Sequence, residues 1–503
     1  MFCYQRLVPN DNEYAHPLDI IPWVDLGLEA VVKIEQYEGA GGAPAGSNGN
    51  YHESLVTLPW RTDLRKLHVV QPDGPSFSVN GNAVAWQHWR LRVGFNAREG
   101  LVLHGVTYDD PHAGGATRAV AHRASIVELA VPYGDPRPPY TRKCALDAGD
   151  YGLGFAANSL ALGCDCLGHI HYFDAVVNNA AGEPVTIRRA VCMHEEDAGL
   201  LWKHADYRSG TAQSRRARRL VLSFIMTAIN YEYCFYWYFG LDGSLTHEVK
   251  LTGLLSTSPL SPEEAAAGAG PTHGTLVSAG VNAQHHQHFF CARLDLAVDD
   301  AAGGGAACYV SECDALPDAD DTADDGPGNG FTAHETALTR VHAARRLTAP
   351  ERARFWKVNN PGVRHAVTGA PAAYALMPGT AARLMARPGS AVARRAAFTT
   401  RNLWVTSHDD AQRYPAGEYV MQSQDCSGLT AWTAADGDIV DPVLWYCFGV
   451  THVVRPEDWP IMPCEAVHFT LKPWGFFHVN PSIDVPPERD EASTLHGTCC
   501  AAE

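Results

Sequence analysis

A chain of 503 residues with 46% hydrophobic and 19% charged residues is long and apolar enough to bury a sizeable core, which excludes an intrinsically disordered protein. The formal net charge of −17, with no long basic run interleaved with aromatics, argues against a nucleic-acid partner. No stretch approaches the ~20 apolar residues of a membrane-spanning helix, and 14 cysteines over this length are too dilute for a small disulfide scaffold. The start, Met1-Phe2-Cys3-Tyr4-Gln5-Arg6, lacks the basic and apolar regions of a signal peptide. Cys499-Cys500-Ala501-Ala502-Glu503 spells no peroxisomal or retention address, so the compartment stays open.

In chain order, the first strand-like run is Val24–Val32, with Ile34 beyond it. Gly39–Ser47 has the composition of a flexible linker or surface insertion. From about residue 70 onward, short β-rich runs alternate with Gly, Pro and Asp turns: Trp89–Val93, Ser125–Val131, Val185–Ile187, Leu220–Ile225 and Gly274–Val281. Such runs predict a mainly β chain built as a large antiparallel β-sandwich. The basic patch Arg215–Arg219 reads as a solvated approach to a strand. Glu263–Gly270 and Asp299–Gly330, rich in Ala, Gly and Asp, read as exposed loops, and one short helix is predicted around Glu351–Lys357.

Several segments carry side chains suited to chemistry. Val131-Pro132-Tyr133-Gly134-Asp135-Pro136 reads on its own as a turn. Ala145-Leu146-Asp147-Ala148-Gly149-Asp150-Tyr151-Gly152 places Asp147 in a Gly-rich turn where an Asp is ordinarily a turn former, with Asp150 and the more distant Asp197 as competing carboxylates. Thr227-Ala228-Ile229-Asn230-Tyr231-Glu232-Tyr233 opens a very aromatic run that would suit a buried sandwich edge. In His286-Gln287-His288, residues i and i+2 share one face of a strand, so both imidazoles head the apolar face continued by Phe290, Ala292, Leu294 and Leu296. Ring nitrogens in such a place need a partner, and a metal supplies one. His285 falls on the other face. His452 alone would be a hydrogen-bonded core histidine; as a third imidazole it would suit Cu(II), with Zn(II) the chemical alternative.

Taken together, the T-x-x-N-Y-E-Y run at Thr227–Tyr233, the L-D-x-G-D-x-G run at Leu146–Gly152, the V-P-Y-G-D-P run at Val131–Pro136 and Gly449-Val450-Thr451-His452-Val453-Val454-Arg455-Pro456-Glu457-Asp458-Trp459-Pro460-Ile461-Met462-Pro463 resemble the copper amine oxidase family. The resemblance extends from about Pro75 to Pro486. It implies a primary-amine oxidase in which His286, His288 and His452 bind copper. Tyr231 would be oxidised in place to topaquinone, the ring that carries the Schiff-base intermediate, and Asp147 would be the proton acceptor. Tyr133 would hydrogen-bond the quinone oxygen and Asn230 would restrict its rotation.

The resemblance further implies a Cys166–Cys192 disulfide with Cys164 free, and a peripheral metal site, usually filled by calcium, made by Asp295, the Leu296 carbonyl, Asp441 and the Pro442 carbonyl. A further acid often found in the family stands as Ala297 here. Primary amine and O2 would be the small-molecule partners, no membrane is expected, and the family is homodimeric. Residues 1–60 are expected to be a remnant of a small N-terminal α/β domain plus linker, 70–490 the catalytic sandwich, and 491–503 a tail. Ala145, small where several relatives carry a bulkier residue, suggests a wide substrate entrance. The rival readings are an inactive metal-binding homologue and a β-sandwich binding module with a three-histidine zinc site.

Overall fold

The computed structural model of the protein describes residues 2–37, 49–268, 270–300, 308–318 and 327–496. The Gly39–Ser47 linker lies outside the described residues, as do much of the Asp299–Gly330 insert and the end of the tail. Among the described residues the architecture is two large antiparallel sheets, of ten and nine strands, with a three-stranded and a two-stranded sheet beside them. The ten-stranded sheet runs Phe331–Leu338, Tyr309–Pro317, Phe355–Arg364, Pro371–Pro378, Met462–Trp474, Leu245–Gly253, Tyr231–Gly240, Thr211–Ala228, Pro184–Asp206, His171–Asn178. The other contains Leu403–Ser407, Pro442–His452, His286–Asp295, Ala116–Pro132 and four earlier strands, with the short Cys144–Leu146 pairing Ala116–Pro132 off the main path.

Alternation places one face of each large sheet in a shared core. Phe235 of one sheet stacks on Phe224 at 4.8 Å between ring centroids and meets Phe290 of the other edge-on at 6.1 Å. Trp86, Trp89, Trp237, Phe448 and Phe469 complete this aromatic layer without leaving it exposed. Phe235→Ala is expected to cost about 3–5 kcal/mol of stability, read from the denaturant midpoint at unchanged slope. Buried Glu195 ties the segment before the first sandwich strands to this core, accepting from Trp86 Nε1 (2.8 Å), Gln71 Nε2 (2.6 Å) and the Ser76 N–H (2.7 Å).

Five local expectations are corrected. Within Asp299–Gly330, the described Tyr309–Pro317 is not exposed loop but an inner strand of the ten-stranded sheet, with Val310 and Cys313 buried. Val24–Val32 is not one strand but spans a hairpin of Ile20–Asp25 and Ala30–Gln36. The Asp25 carboxylate accepts the N–H groups of Gly27 and Leu28 and turns the chain there. Gly274–Val281 likewise divides into Gly274–Ser278 and Val281–Gln284, turning at Gly280 with φ 72°. The predicted helix at Glu351–Lys357 is a 3-10 turn, Pro350–Arg352, stopped by Ala353 at φ 47°, followed by the strand Phe355–Arg364. Cross-strand partners and burial of Trp356, whose indole donates to Glu312, outweigh the helix propensity of that stretch. Within Glu263–Gly270, Pro262–Ala267 is a short helix with a Ser261/Glu264 capping box rather than plain loop. Among the described residues, no helix is long and apolar enough to cross a membrane.

Candidate active site

The site forms where the ends of strands from both large sheets meet. Ala228 and Tyr231 are register partners, so the Thr211–Ala228 and Tyr231–Gly240 strands are joined by the two-residue turn Ile229-Asn230. Ile229 takes φ 60°, a left-handed conformation costly for a β-branched residue, and its side chain is exposed. Two hydrogen bonds hold this turn: Asn230 Nδ2 donates to the Leu254 carbonyl at 2.7 Å, and the Leu254 N–H donates to the Asn230 carbonyl at 2.6 Å. A Cβ on Gly253, at φ 102°, would lie 2.7 Å from the Asn230 carbonyl and 3.1 Å from Tyr231 Cα, so glycine permits the close approach. Tyr231 is thereby set at the head of its strand, 2% exposed.

Facing it are the imidazoles. His286 and His288 share one face of the His286–Asp295 strand, and His286 stands directly opposite His452 in the neighbouring strand. Backbone contact is close here too: a Cβ on Gly449 would lie 1.9 Å from the His288 carbonyl. One ligand atom from each histidine falls within 4.8 Å of the others, and all three side chains are buried. The remaining ring nitrogens are engaged. His286 Nδ1 meets the Gln284 carbonyl at 2.8 Å, His288 Nδ1 the Tyr233 hydroxyl at 2.9 Å, and His452 Nε2 the Asp458 carboxylate at 3.0 Å.

These contacts leave His286 Nε2, His288 Nε2 and His452 Nδ1 turned inward. His288 Nε2 is buried without a hydrogen-bond partner, a cost that a metal ion would relieve. Burial, then the neighbouring His452, pushes the His286 imidazole down to about 3, keeping it neutral and able to donate its lone pair. Three converging imidazoles fit copper. The Tyr231 hydroxyl lies 2.7 Å from His286 Nε2 and 3.4 Å from His452 Nδ1, so the phenol stands against the inward nitrogens of the histidine trio.

Asp458 is the support of the third imidazole. Burial pushes its carboxyl up, but Arg455 and His452 together hold it below its ordinary value, so it stays ionised. Asp458→Asn is expected to weaken copper affinity about 10- to 100-fold, measured by competition with a chelator.

Asp147 follows Cys144–Leu146 and opens the short helix Asp147–Asp150. It is 4% exposed and forms no salt bridge among the described residues. Burial, then Asp150 and Glu128, raises its carboxyl well above the ordinary range, against a smaller pull from Arg395. The competing carboxylates are otherwise occupied: Asp150 accepts from Arg395 at 2.9 Å and from the Leu146 N–H, and Asp197 pairs with Arg216 on the exposed surface. The field of Asp147 reaches both Tyr133 and Tyr233. Tyr133 stacks on His286 at 4.9 Å and carries Lys143 Nζ over its ring at 4.1 Å. Tyr133, Asn230, Tyr231, Asp147 and the three histidines therefore share one region. Tyr233, which closes the T-x-x-N-Y-E-Y run, and Lys143, which lies outside the motifs above, also join this region; the i, i+2 parity of Tyr231 and Tyr233 is the sequence signal for the first.

Away from this centre, Cys166 and Cys192 form a disulfide in a small apolar cluster with Leu160, and Cys164 is a free, exposed thiol. Asp295 and Asp441 each keep one buried carboxylate oxygen, Oδ1, without a partner, which suits a hard cation. On its other oxygen Asp295 meets Arg293 at 3.5 Å and His408 at 3.4 Å. Ala297 is buried and brings no oxygen from its side chain.

The sequence profile described as "Copper amine oxidase, enzyme domain" matches residues 78–492. The chain is 44% identical over 496 residues to the "Primary amine oxidase" of Arthrobacter sp. (strain P1), spanning 98% of this chain and 74% of that protein. It is 43% identical over 493 residues to the "Histamine oxidase" of Arthrobacter globiformis, covering 95% and 68% respectively. Its fold superposes on a copper-containing benzylamine oxidase from Hansenula polymorpha with a TM-score of 0.87 at 35% identity, over 96% of this chain and 75% of that one. The chain belongs to the copper amine oxidase family, the copper- and topaquinone-dependent oxidases of primary amines.

Proposed function

We propose that His286, His288 and His452 hold the copper ion, that Tyr231 is the residue oxidised to topaquinone, and that Asp147 is the proton acceptor in RCH2NH2 + O2 + H2O → RCHO + NH3 + H2O2. The observation that carries this reading is the Tyr231 hydroxyl seated 2.7 Å from an inward-facing nitrogen of a buried histidine trio. When bound, copper and the quinone supply the electrophilic carbonyl, the electron sink and the path to O2.

The chain's own groups do the rest. Asp147 takes the proton from the substrate α-carbon, and the burial that raises its proton affinity makes it a stronger base than a solvated carboxylate. Stacking of Tyr133 on His286 and the fixed Ile229-Asn230 turn restrict the ring at position 231. Tyr233, stacked on Tyr231 at 5.9 Å between ring centroids, closes the core side of that ring.

Around this centre, we assign residues 70–490 to the catalytic sandwich, 1–60 to the remnant of a small N-terminal α/β domain plus linker, and 491–503 to a tail. Asp295, the Leu296 carbonyl, Asp441 and the Pro442 carbonyl are the ligands we assign to a peripheral calcium. The long Pro184–Asp206/Thr211–Ala228 hairpin, with Tyr207 standing 86% exposed at its tip, supports a homodimer in which such an arm reaches the second copy.

The test is oxygen uptake with a small primary amine. Copper-loaded, aerated protein should consume O2 with equimolar peroxide and ammonia, and the zinc-loaded protein should not. A colourless, inactive copper form would favour the binding-module reading. In the Ala145→Tyr variant, aryl amines should lose kcat/KM relative to a slim alkyl amine; unchanged or inverted selectivity removes Ala145 as a determinant of entrance width.

A further inference from the structure

Glu128, on the Ala116–Pro132 strand, is a carboxylate without exposed surface that has no role in the assignments above. Its Oε1 accepts the N–H groups of Leu129, Ala148 and Gly149, each at 3.1 Å. Ala148 and Gly149 are the two residues directly after Asp147, in the opening turn of a four-residue helix. A helix this short does not hold itself together, so its orientation depends on what captures its first N–H groups.

The other oxygen of Glu128 faces Arg98 Nη2 at 3.5 Å. Arg98 is fixed in turn by the carbonyls of Gly417 (3.2 Å) and Glu418 (2.6 Å) and by the Tyr414 ring at 4.0 Å. A Cβ on Gly149 would lie 2.0 Å from Val420 Cγ2 and 3.1 Å from Glu128 Oε2, so the turn is pressed against the carboxylate.

We propose that Glu128 is a positioning residue for the catalytic base, aiming Asp147 through the Ala148 and Gly149 N–H groups and placing a second carboxylate beside it. The inference rests on the reading of Asp147 as proton acceptor. The groups that face Asp147 are few: Asp150 and Glu128 raise its proton affinity, Arg395 lowers it, and Tyr133, Tyr151, Tyr233 and the Cys144 thiol stay neutral at working pH. Glu128 is faced by Arg98, Asp150 and the buried Cys291 thiol. Burial carries it up to about 7 against the pull of Arg98 and the N–H groups, so it is partly ionised near neutrality. Its charge makes Asp147 a stronger base.

Glu128→Gln keeps the shape and one accepting oxygen while deleting the charge. The acid limb of kcat/KM should move to lower pH by about one pH unit. At the plateau kcat should fall about tenfold, with a larger isotope effect from an α-deuterated amine and unchanged phenylhydrazine-titratable quinone. Arg98→Met, at the edge of the core, should move the limb in the same direction, because it lets Glu128 hold its proton to higher pH. An unmoved acid limb and isotope effect in quinone-bearing Glu128→Gln overturn the proposal; if that variant does not fold, an unmoved limb in Arg98→Met does so. Asp147→Asn separates the two claims: if it keeps activity, the base assignment itself fails, whereas an inactive Asp147→Asn beside an unmoved limb in Glu128→Gln defeats the positioning role alone.

Discussion

Asp147→Asn should lower kcat by about 10³-fold while copper content and quinone content stay at parental levels. The amide fills the same buried volume and cannot accept the α-proton. Loss should therefore fall on the step broken by α-deuteration and not on assembly of the site. The pH dependence follows from the direction of the shift. As the proposed proton acceptor, Asp147 must be ionised, and burial, Asp150 and Glu128 raise its carboxyl well above the ordinary ~3.9, so the acid limb of kcat/KM in the parent should lie well above that value. Stability moves the opposite way. A carboxyl whose folded value is raised contributes its stability fully below the unfolded value of ~3.9 and loses it as pH rises through the folded value. Above that range the Asn variant should melt higher than the parent. A variant that retains turnover, or melts lower at alkaline pH, contradicts this account of Asp147.

His288→Ala should abolish turnover altogether. It removes the inward nitrogen that has no other partner, leaving two imidazoles that Gln284 and Asp458 still orient. Copper affinity should fall by more than the roughly 10- to 100-fold that loss of an outer partner causes, and Tyr231 should remain an ordinary tyrosine. Tyr233→Phe gives the intermediate case, since it deletes only the 2.9 Å contact that orients His288, and its copper affinity should fall within that range. Chelator competition and the visible spectrum after aerobic incubation with copper read both variants. One tightly held copper with full colour in His288→Ala would show that the trio is not the metal site.

Much of the histidine cluster was legible because strand parity is a rule of short range. The His286/His288 spacing puts both rings on one face, and the structure keeps them there with Phe290 and Leu294 following in the core. The pairing of His286 with His452 was not derivable from parity, since it is a register between strands far apart in the chain. The resemblance supplied that partner. Glu128 was invisible for a different reason. An isolated Glu in an apolar strand carries no local pattern, and its partners Ala148 and Gly149 act through backbone N–H groups that any residue but proline possesses. At Glu351–Lys357 local propensity points to helix, and from Phe355 onward the sheet on both sides overrides it.

The central claim is that the side chain at position 231 becomes the electrophile. Phenylhydrazine labelling of the aerated copper protein, followed by peptide mapping, tests it directly. The account predicts one label, on the peptide containing Tyr231, and none in protein kept free of copper. A label elsewhere, or equal labelling without copper, would contradict it.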